Sequence, residues 1–370
     1  MAEKISHLSG HPTPAGQKAT ALLLDDVRFD AHAPLAYHPE RPERLAAARA
    51  AARSAEAIVS WERVAARGAS NDELARVHEA SYLEHLERLK REHGTQGGSP
   101  NRGSEGLYLD PDTYVVGGSV DAARLAAGGL VALVDGVLEG RANKGLALVR
   151  PPGHHARPGQ AMGFCLINNV AVAAAHARAR GLSRVAIVDW DVHHGNGTQE
   201  MFFRDPSVLY VSTHQYPFYP GSGAAREIGE GEGKGFTVNV PLSAHGGDAI
   251  YRGAFERVIL PVLDEYKPEL LLVSAGFDPA TRDPLAQMDV SASAFGWMAR
   301  ALRGVAERHA KGRAVMVLEG GYDLPSLEAG LLSAVKGMVL GEADDGPRDV
   351  DSPDLKRAGR WAEKAGHKLG

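Results

Sequence analysis

Through the second half of the chain, short apolar runs alternate with longer amphipathic stretches. The runs are 146–149, 185–188, 208–211, 270–273 and 315–318, and helical spacing of apolar residues marks 167–180, 248–266, 292–310 and 326–340. Short unbroken apolar strands separated by helices predict a parallel sheet covered on both faces. Earlier, residues 41–92 place Leu45, Ala48 and Ala52, then Val77, Tyr82, Leu86 and Leu89, at spacings that predict amphipathic helices, and the pattern returns over 119–140. Between them, residues 94–118 are dense in Gly, Pro, Asp and Asn and predict a long irregular surface loop. Residues 341–370 read as a polar tail with one helix near 354–364. No repeat or linker divides the chain. It reads as a single α/β domain over 1–370, doubly wound, with a mainly parallel central sheet flanked by helices and its motif-bearing part at about 38–340.

Composition narrows the function. With 44% hydrophobic and 24% charged residues the chain is an ordinary globular protein. A net charge of −5 gives no basic field to hold a polyphosphate backbone, which disfavours nucleic acid as a partner. One cysteine, Cys165, cannot form an internal disulfide, so the chain reads as cytoplasmic. The opening Met-Ala-Glu-Lys-Ile-Ser-His lacks the apolar segment of a secretory signal, and no apolar run is long enough to span a membrane. Of the 41 basic residues 30 are arginine, which fits a GC-rich bacterial genome.

Open parallel sheets bind ligands beyond the carboxyl ends of their strands. Four of the runs end there in reactive residues: Arg150-Pro-Pro-Gly-His154-His155, Asp189-Trp-Asp191-Val-His193-His194-Gly-Asn196, Ser274-Ala-Gly-Phe-Asp278, and Glu319-Gly-Gly-Tyr322. A histidine doublet or an Asp-x-His is weak singly, because strand-end aspartates often cap helices and Gly-Gly-Tyr is often a turn. Four such endings in one sheet point to a site.

In an extended segment residues i and i+2 face the same side, so Asp191 and His193 can grip one ion, with Asp189 on that face too. Adding Asp278 gives two carboxylates and one imidazole, three ligands with a position left open for water and substrate. That set suits zinc and also Fe(II), Co(II) or Mn(II). Two histidines beside such a metal supply acid–base chemistry, and a tyrosine hydroxyl can donate to an oxygen that becomes negative. These are the parts of an amide hydrolase, and Phe164 offers a flat wall for an alkyl chain.

Together with Gly163-Phe-Cys-Leu-Ile-Asn-Asn, these ordered motifs resemble the zinc-dependent histone deacetylase family of the arginase–deacetylase superfamily, from about His38 to Gly337. The segments His38-Pro-Glu-Arg-Pro-Glu-Arg44 and Asp110-Pro-Asp-Thr resemble the class II branch and its bacterial deacetylase-like amidohydrolases. The resemblance implies that Asp191, His193 and Asp278 bind zinc, and that zinc and the His154–His155 pair activate a water against an N-acyl carbonyl polarised by Tyr322. His155 would be the general base and His154 an electrostatic partner, with Asp189 behind His154 and Asn196 behind His155. Asn196 is a departure, because many members carry aspartate there, and an amide stabilises an imidazolium less. Phe164 and Tyr219 would wall the substrate tunnel, with Phe218 the alternative to Tyr219. Gly163 would admit the acyl-lysine stem, Asp112 would be the rim aspartate, and Arg44 would lie near an internal channel for acetate. Family members also bind structural potassium, implying Asp189, Asp191, His193, Ser212 and Thr213 at one site and carbonyls of Phe202, Asp205, Val208 and Phe236 at a second.

The substrate expected is an acyl-lysine protein or peptide. An arginase-like binuclear manganese enzyme needs aspartates where this chain has Gly195 and Ala280. An acetylpolyamine amidohydrolase shares the machinery, but Leu285 stands where a polyamine-selective relative carries glutamate. A non-catalytic acyl-binding scaffold is the remaining rival, and branches of that kind replace the tyrosine that is present here as Tyr322.

Overall fold

The computed structural model describes residues 18–93 and 107–369. Eight strands form one sheet: β1 (Ala19–Asp25), β2 (Val59–Val64), β5 (Lys144–Leu148), β6 (Val185–Asp189), β7 (Val208–Gln215), β8 (Thr237–Leu242), β9 (Leu270–Ala275) and β10 (Ala314–Leu318). Their order is β2-β1-β5-β10-β9-β6-β7-β8, and every pairing is parallel. The five apolar runs are β5, β6, β7, β9 and β10, all buried along their length. Because the strands are buried on both faces, their middle positions are apolar, which is why they read as unbroken runs, and polar residues such as Asp189, Ser212 and Ser274 come at or toward their carboxyl ends.

Three strands escape that pattern. β1, Ala-Thr-Ala-Leu-Leu-Leu-Asp, lies ahead of the alternating region. β2 and β8 close the two edges of the sheet and carry edge chemistry: β2 is Val-Ser-Trp-Glu-Arg-Val, with charged residues facing out, and β8 contains Pro241, which cannot donate to a further strand.

The segment expected to be wholly helical over 41–92 is therefore corrected. It contains α1 (Glu43–Ala55), then β2, α2 (Asn71–Leu74) and α3 (Ala80–His93). Of the loop expected over 94–118, residues 94–106 lie outside the described residues. The remainder is a hairpin rather than irregular chain, with β3 (Leu107–Tyr108) paired antiparallel to β4 (Tyr114–Val115). The opening residues read for a signal also lie outside the described residues.

Helices flank the sheet. α4 (Ser119–Leu138) and α5 (Asn169–Ala179) pack together, as do α1, α9 (Ala292–His309) and α10 (Leu324–Val335). α6 (Asn196–Phe202) follows β6, and α7 (Asp248–Ala254) continues through a π-helical turn into α8 (Leu260–Tyr266). Residues 353–365 of the polar tail form α11 (Pro353–Ala365), which packs on β8 and buries Leu355, Ala358 and Ala362 in the main core. Among the described residues no helix is long and apolar enough to cross a membrane. Since all eight strands run the same way, their carboxyl ends share one edge, where the loops carrying polar residues meet.

Candidate active site

β6 ends at Asp189, and the loop beyond it turns Asp191 and His193 toward Asp278, which follows β9. One ligand atom from each of Asp191, His193 and Asp278 lies within 4.8 Å of the others. His193 Nδ1 is 3.3 Å from Asp191 Oδ1 and 3.1 Å from Asp278 Oδ2. Backbone donors fix the carboxylates: Gly320 N–H donates to Asp191 Oδ2 at 2.7 Å and Val192 N–H to Asp278 Oδ1 at 2.9 Å. A side chain at Gly320 would place its Cβ 2.2 Å from Asp278 Oδ2, and one at Gly276 would lie 2.1 Å from Asp191 Oδ2. Only glycine allows the chain to pass this close.

Two fully buried carboxylates side by side repel. Burial, then the Asp191 charge, push Asp278 up to about 7, and His193 is pushed up to about 10 because both carboxylates outweigh its burial. Such a cluster of oxygen donors with one imidazole is electrostatically suited to a divalent cation, so the residues present fit a metal.

The histidine pair follows β5. The rings lie 4.0 Å apart but have different partners: His154 Nδ1–H donates to Asp189 Oδ2 at 3.0 Å, and His155 Nδ1–H to Asn196 Oδ1 at 2.8 Å. Asn196 in turn donates to Met162 Sδ at 3.3 Å. Burial opposes charge on both rings. The Asp189 and Asp191 carboxylates overcome it at His154, pushed up to about 10, whereas at His155 the neighbouring His154 and His193 reinforce it and hold the ring well below the usual imidazole range. With Nδ1–H given to an amide oxygen, His155 keeps Nε2 as a free base.

These groups face a cavity of about 230 Å³ that is also lined by Asp112, Gly163, Phe164, Phe218, Tyr219, Leu285 and Tyr322. Both candidates for the second wall are present. Phe218 stacks on His193 with centroids 5.7 Å apart, and Tyr219 stands edge-on to His155 at 5.2 Å. Phe164 has φ of +69°, a left-handed conformation rare for a bulky residue, and its N–H donates to Thr113 Oγ1 at 3.0 Å. A Cβ at Gly163 would lie 2.4 Å from His155 Cδ2, so this glycine makes room for the histidine ring as well as lining the cavity.

Tyr322 follows β10, and burial pushes its hydroxyl well above the usual phenol range, which keeps the proton in place for donation. Arg44, fully buried, lies under the ring at 4.8 Å, donates to the Gly321 carbonyl at 2.7 Å and reaches Glu40. At the positions expected for potassium, Ser212 and Thr213 lie buried within the last half of β7, and Thr213 Oγ1 has no hydrogen-bond partner among the described residues. Phe202, Asp205, Val208 and Phe236 gather around the α6–β7 turn, where the Phe202 carbonyl accepts from Asp205 N–H and the Phe236 carbonyl from Tyr210 N–H.

Sequence reasoning missed several supporting residues. Glu319 accepts from Gly153 N–H at 2.7 Å and Ser274 Oγ at 3.0 Å, tying the loops after β5 and β10 to the carboxyl end of β9. Glu40 takes Arg150 and Arg44 into one buried ion cluster. His38 bonds the Asp112 carbonyl at 3.0 Å and sits edge-on to Phe164 at 4.8 Å. Each works through a long-range contact to backbone or to another charge, and only their place beside recognisable motifs could have flagged them.

The family model described as "Histone deacetylase domain" matches residues 38–338. The chain is similar to a histone deacetylase-like amidohydrolase of Pseudomonas aeruginosa, 47% identical over 256 residues, which are 69% of this chain and 64% of that protein. It is similar also to the human polyamine deacetylase, 43% identical over 332 residues, 87% of this chain and 46% of that protein. The crystal structure of the HDA15 HD domain superposes with a TM-score of 0.83 at 38% identity, covering 94% of each chain. The chain thus spans less than two thirds of the length of both curated relatives.

Proposed function

Because this chain belongs to the histone deacetylase family, we propose that it is a zinc-dependent amidohydrolase that removes acetyl or other acyl groups from the side-chain amine of N-acyl-lysine in proteins or peptides. The observation that carries this reading is that the Asp191–His193–Asp278 cluster reaches, through His193, the same cavity of about 230 Å³ that His155, with its free Nε2, and Tyr322 line.

Asp191, His193 and Asp278 would hold the zinc, which supplies Lewis-acid polarisation of the acyl carbonyl and a lowered pKa for water. Phe164, Phe218 and Tyr219 hold the alkyl stem and exclude water. His155 Nε2 takes a proton from the attacking water and returns it to the leaving amine. His154, kept charged by Asp189, contributes a fixed positive charge beside it. The Tyr322 hydroxyl donates to the carbonyl oxygen as negative charge builds there. Hydrolysis releases the carboxylic acid and the free amine.

The unpartnered Thr213 Oγ1 supports the inner potassium position with Ser212 and the Asp189, Asp191 and His193 segment. A second reading, acetylpolyamine hydrolysis, is favoured by the similarity to the human polyamine deacetylase. Against it, Leu285 leaves its part of the rim without the carboxylate that would receive a second ammonium.

The test compares initial rates of the zinc-loaded protein on acetyl-lysine peptides and on acetylated putrescine and spermidine, with and without a hydroxamate. A hydroxamate-sensitive preference for peptides of about tenfold or more is the expected result. Preference for the polyamines would transfer the function to the second reading, and silence on both would overturn deacetylation.

A further inference from the structure

We propose that Asp283 is a positioning residue that ties the loop carrying Tyr322 to the loop carrying Leu285, so that the oxyanion donor and the cavity rim are held as one unit. The inference rests on the roles proposed above for this cavity.

Asp283 is 7% exposed, and both of its oxygens are engaged by backbone. Oδ2 accepts from Tyr322 N–H at 2.6 Å and from Asp323 N–H at 3.2 Å, while Oδ1 accepts from Leu285 N–H at 3.0 Å. One side chain thus gathers three amides from two loops, and both Leu285 and Tyr322 line the cavity. Only a carboxylate offers two acceptor oxygens with enough lone pairs for this; an asparagine would turn its own donor against one of the N–H groups.

The loop needs such a tie. Tyr322 follows Gly320 and Gly321, the latter at φ +118°, so the backbone before it has wide freedom and no side chains to anchor it. Arg44 restrains this stretch from below through the Glu319 and Gly321 carbonyls, and Asp283 restrains it through the amides of Tyr322 and Asp323. Those amides precede α10, a twelve-residue helix whose first N–H groups lack helical partners and whose N-terminus favours a negative group. Because an ångström of misplacement costs up to about a hundredfold in rate, a residue that fixes the Tyr322 backbone acts on turnover without touching the substrate.

The experiment is a double-mutant cycle on the zinc-loaded full chain, D283N, Y322F and the pair, with hydrogen exchange read on the same proteins. D283N is expected to lower kcat about tenfold or more in the wild-type background and less than about twofold on Y322F. Exchange is expected to rise about tenfold at 320–324 and at 285–286, with 146–149 unchanged. An equal loss of kcat in both backgrounds, or a folded D283N with unaltered exchange in both loops, would overturn the proposal. Should D283N fail to fold, D283S, which introduces no opposing amide, replaces it with the same expectations. A wild-type protein inactive on every N-acyl amine would sink the deacylase reading alone, because the exchange measurement still decides the tie.

Discussion

Two sets of buried histidines are driven in opposite directions. His154 and His193 are pushed up to about 10, whereas His78 and His214 are pushed down to about 4 and His194 well below the usual range. Burial penalises charge on all five. The first set has carboxylates within reach, Asp189, Asp191 and Asp278, and these outweigh the penalty. The second set is satisfied by neutral groups: His78 donates to the Arg157 carbonyl and accepts from Asn168 N–H, His214 bonds the Gly223 carbonyl and Ser212, and His194 bonds Gln199 and Ser222. The partner decides whether a buried ring is a charge or a scaffold, and a histidine count cannot tell the two apart.

The most severe way to break the charged set is to remove a ligand. Asp278→Ala is expected to abolish metal retention and with it activity, since two ligands hold zinc poorly; stoichiometric zinc by elemental analysis would refute the ligand set. Next in size, Tyr322→Phe and His155→Ala should each lower kcat by about two orders of magnitude or more with thermal melting little changed, as followed by peptide turnover and calorimetry. Near-normal rates in either would overturn the assigned roles.

The neutral set makes a stability prediction. His78 and His214 have folded pKa values near 4, below the unfolded value near 6.5, so between those pH values the unfolded chain binds more protons. Their contribution is complete above pH 6.5 and is lost as pH falls toward 4, by up to about 3 kcal/mol per ring. Urea midpoints that do not fall between pH 7 and 4.5 would contradict this. The smallest expected effect tests the boundary between the sets: Asn196→Asp gives His155 a carboxylate and should raise the pKa on the acid limb of kcat/KM by about one unit, whereas an unmoved limb would separate that limb from His155.

Legibility in the sequence followed the unbroken apolar run. β5, β6, β7, β9 and β10 each contain one, whereas β2 is half-exposed and carries Ser60, Glu62 and Arg63, and β8, though buried under α11, is interrupted by Asn239 and Pro241. His154, His155, His193 and Tyr322 were nameable because strand ends in a parallel sheet converge by topology, whereas Asp112, Gly163, Tyr219 and Leu285 were named through the family resemblance. Asp283, Glu319, Glu40 and His38 were not: their contacts link them to distant backbone and charges, and such contacts leave no spacing to read. The choice between Phe218 and Tyr219 was open for a related reason, since an irregular turn lets neighbouring side chains face the same space.

The place of β10 in the sheet bears on how the molecule is made. It is the last strand among the described residues, yet it sits between β5 and β9, with Val315 paired to Gly145 on one side and Leu272 on the other. A growing chain on the ribosome cannot close the sheet until residues 314–318 have emerged. Until then β5 and β9 each present an unpaired apolar edge, the kind of surface that recruits other strands. Closing the sheet therefore depends on pairings of long sequence separation, the kind that folds slowly and leaves apolar edges open to aggregation in the meantime.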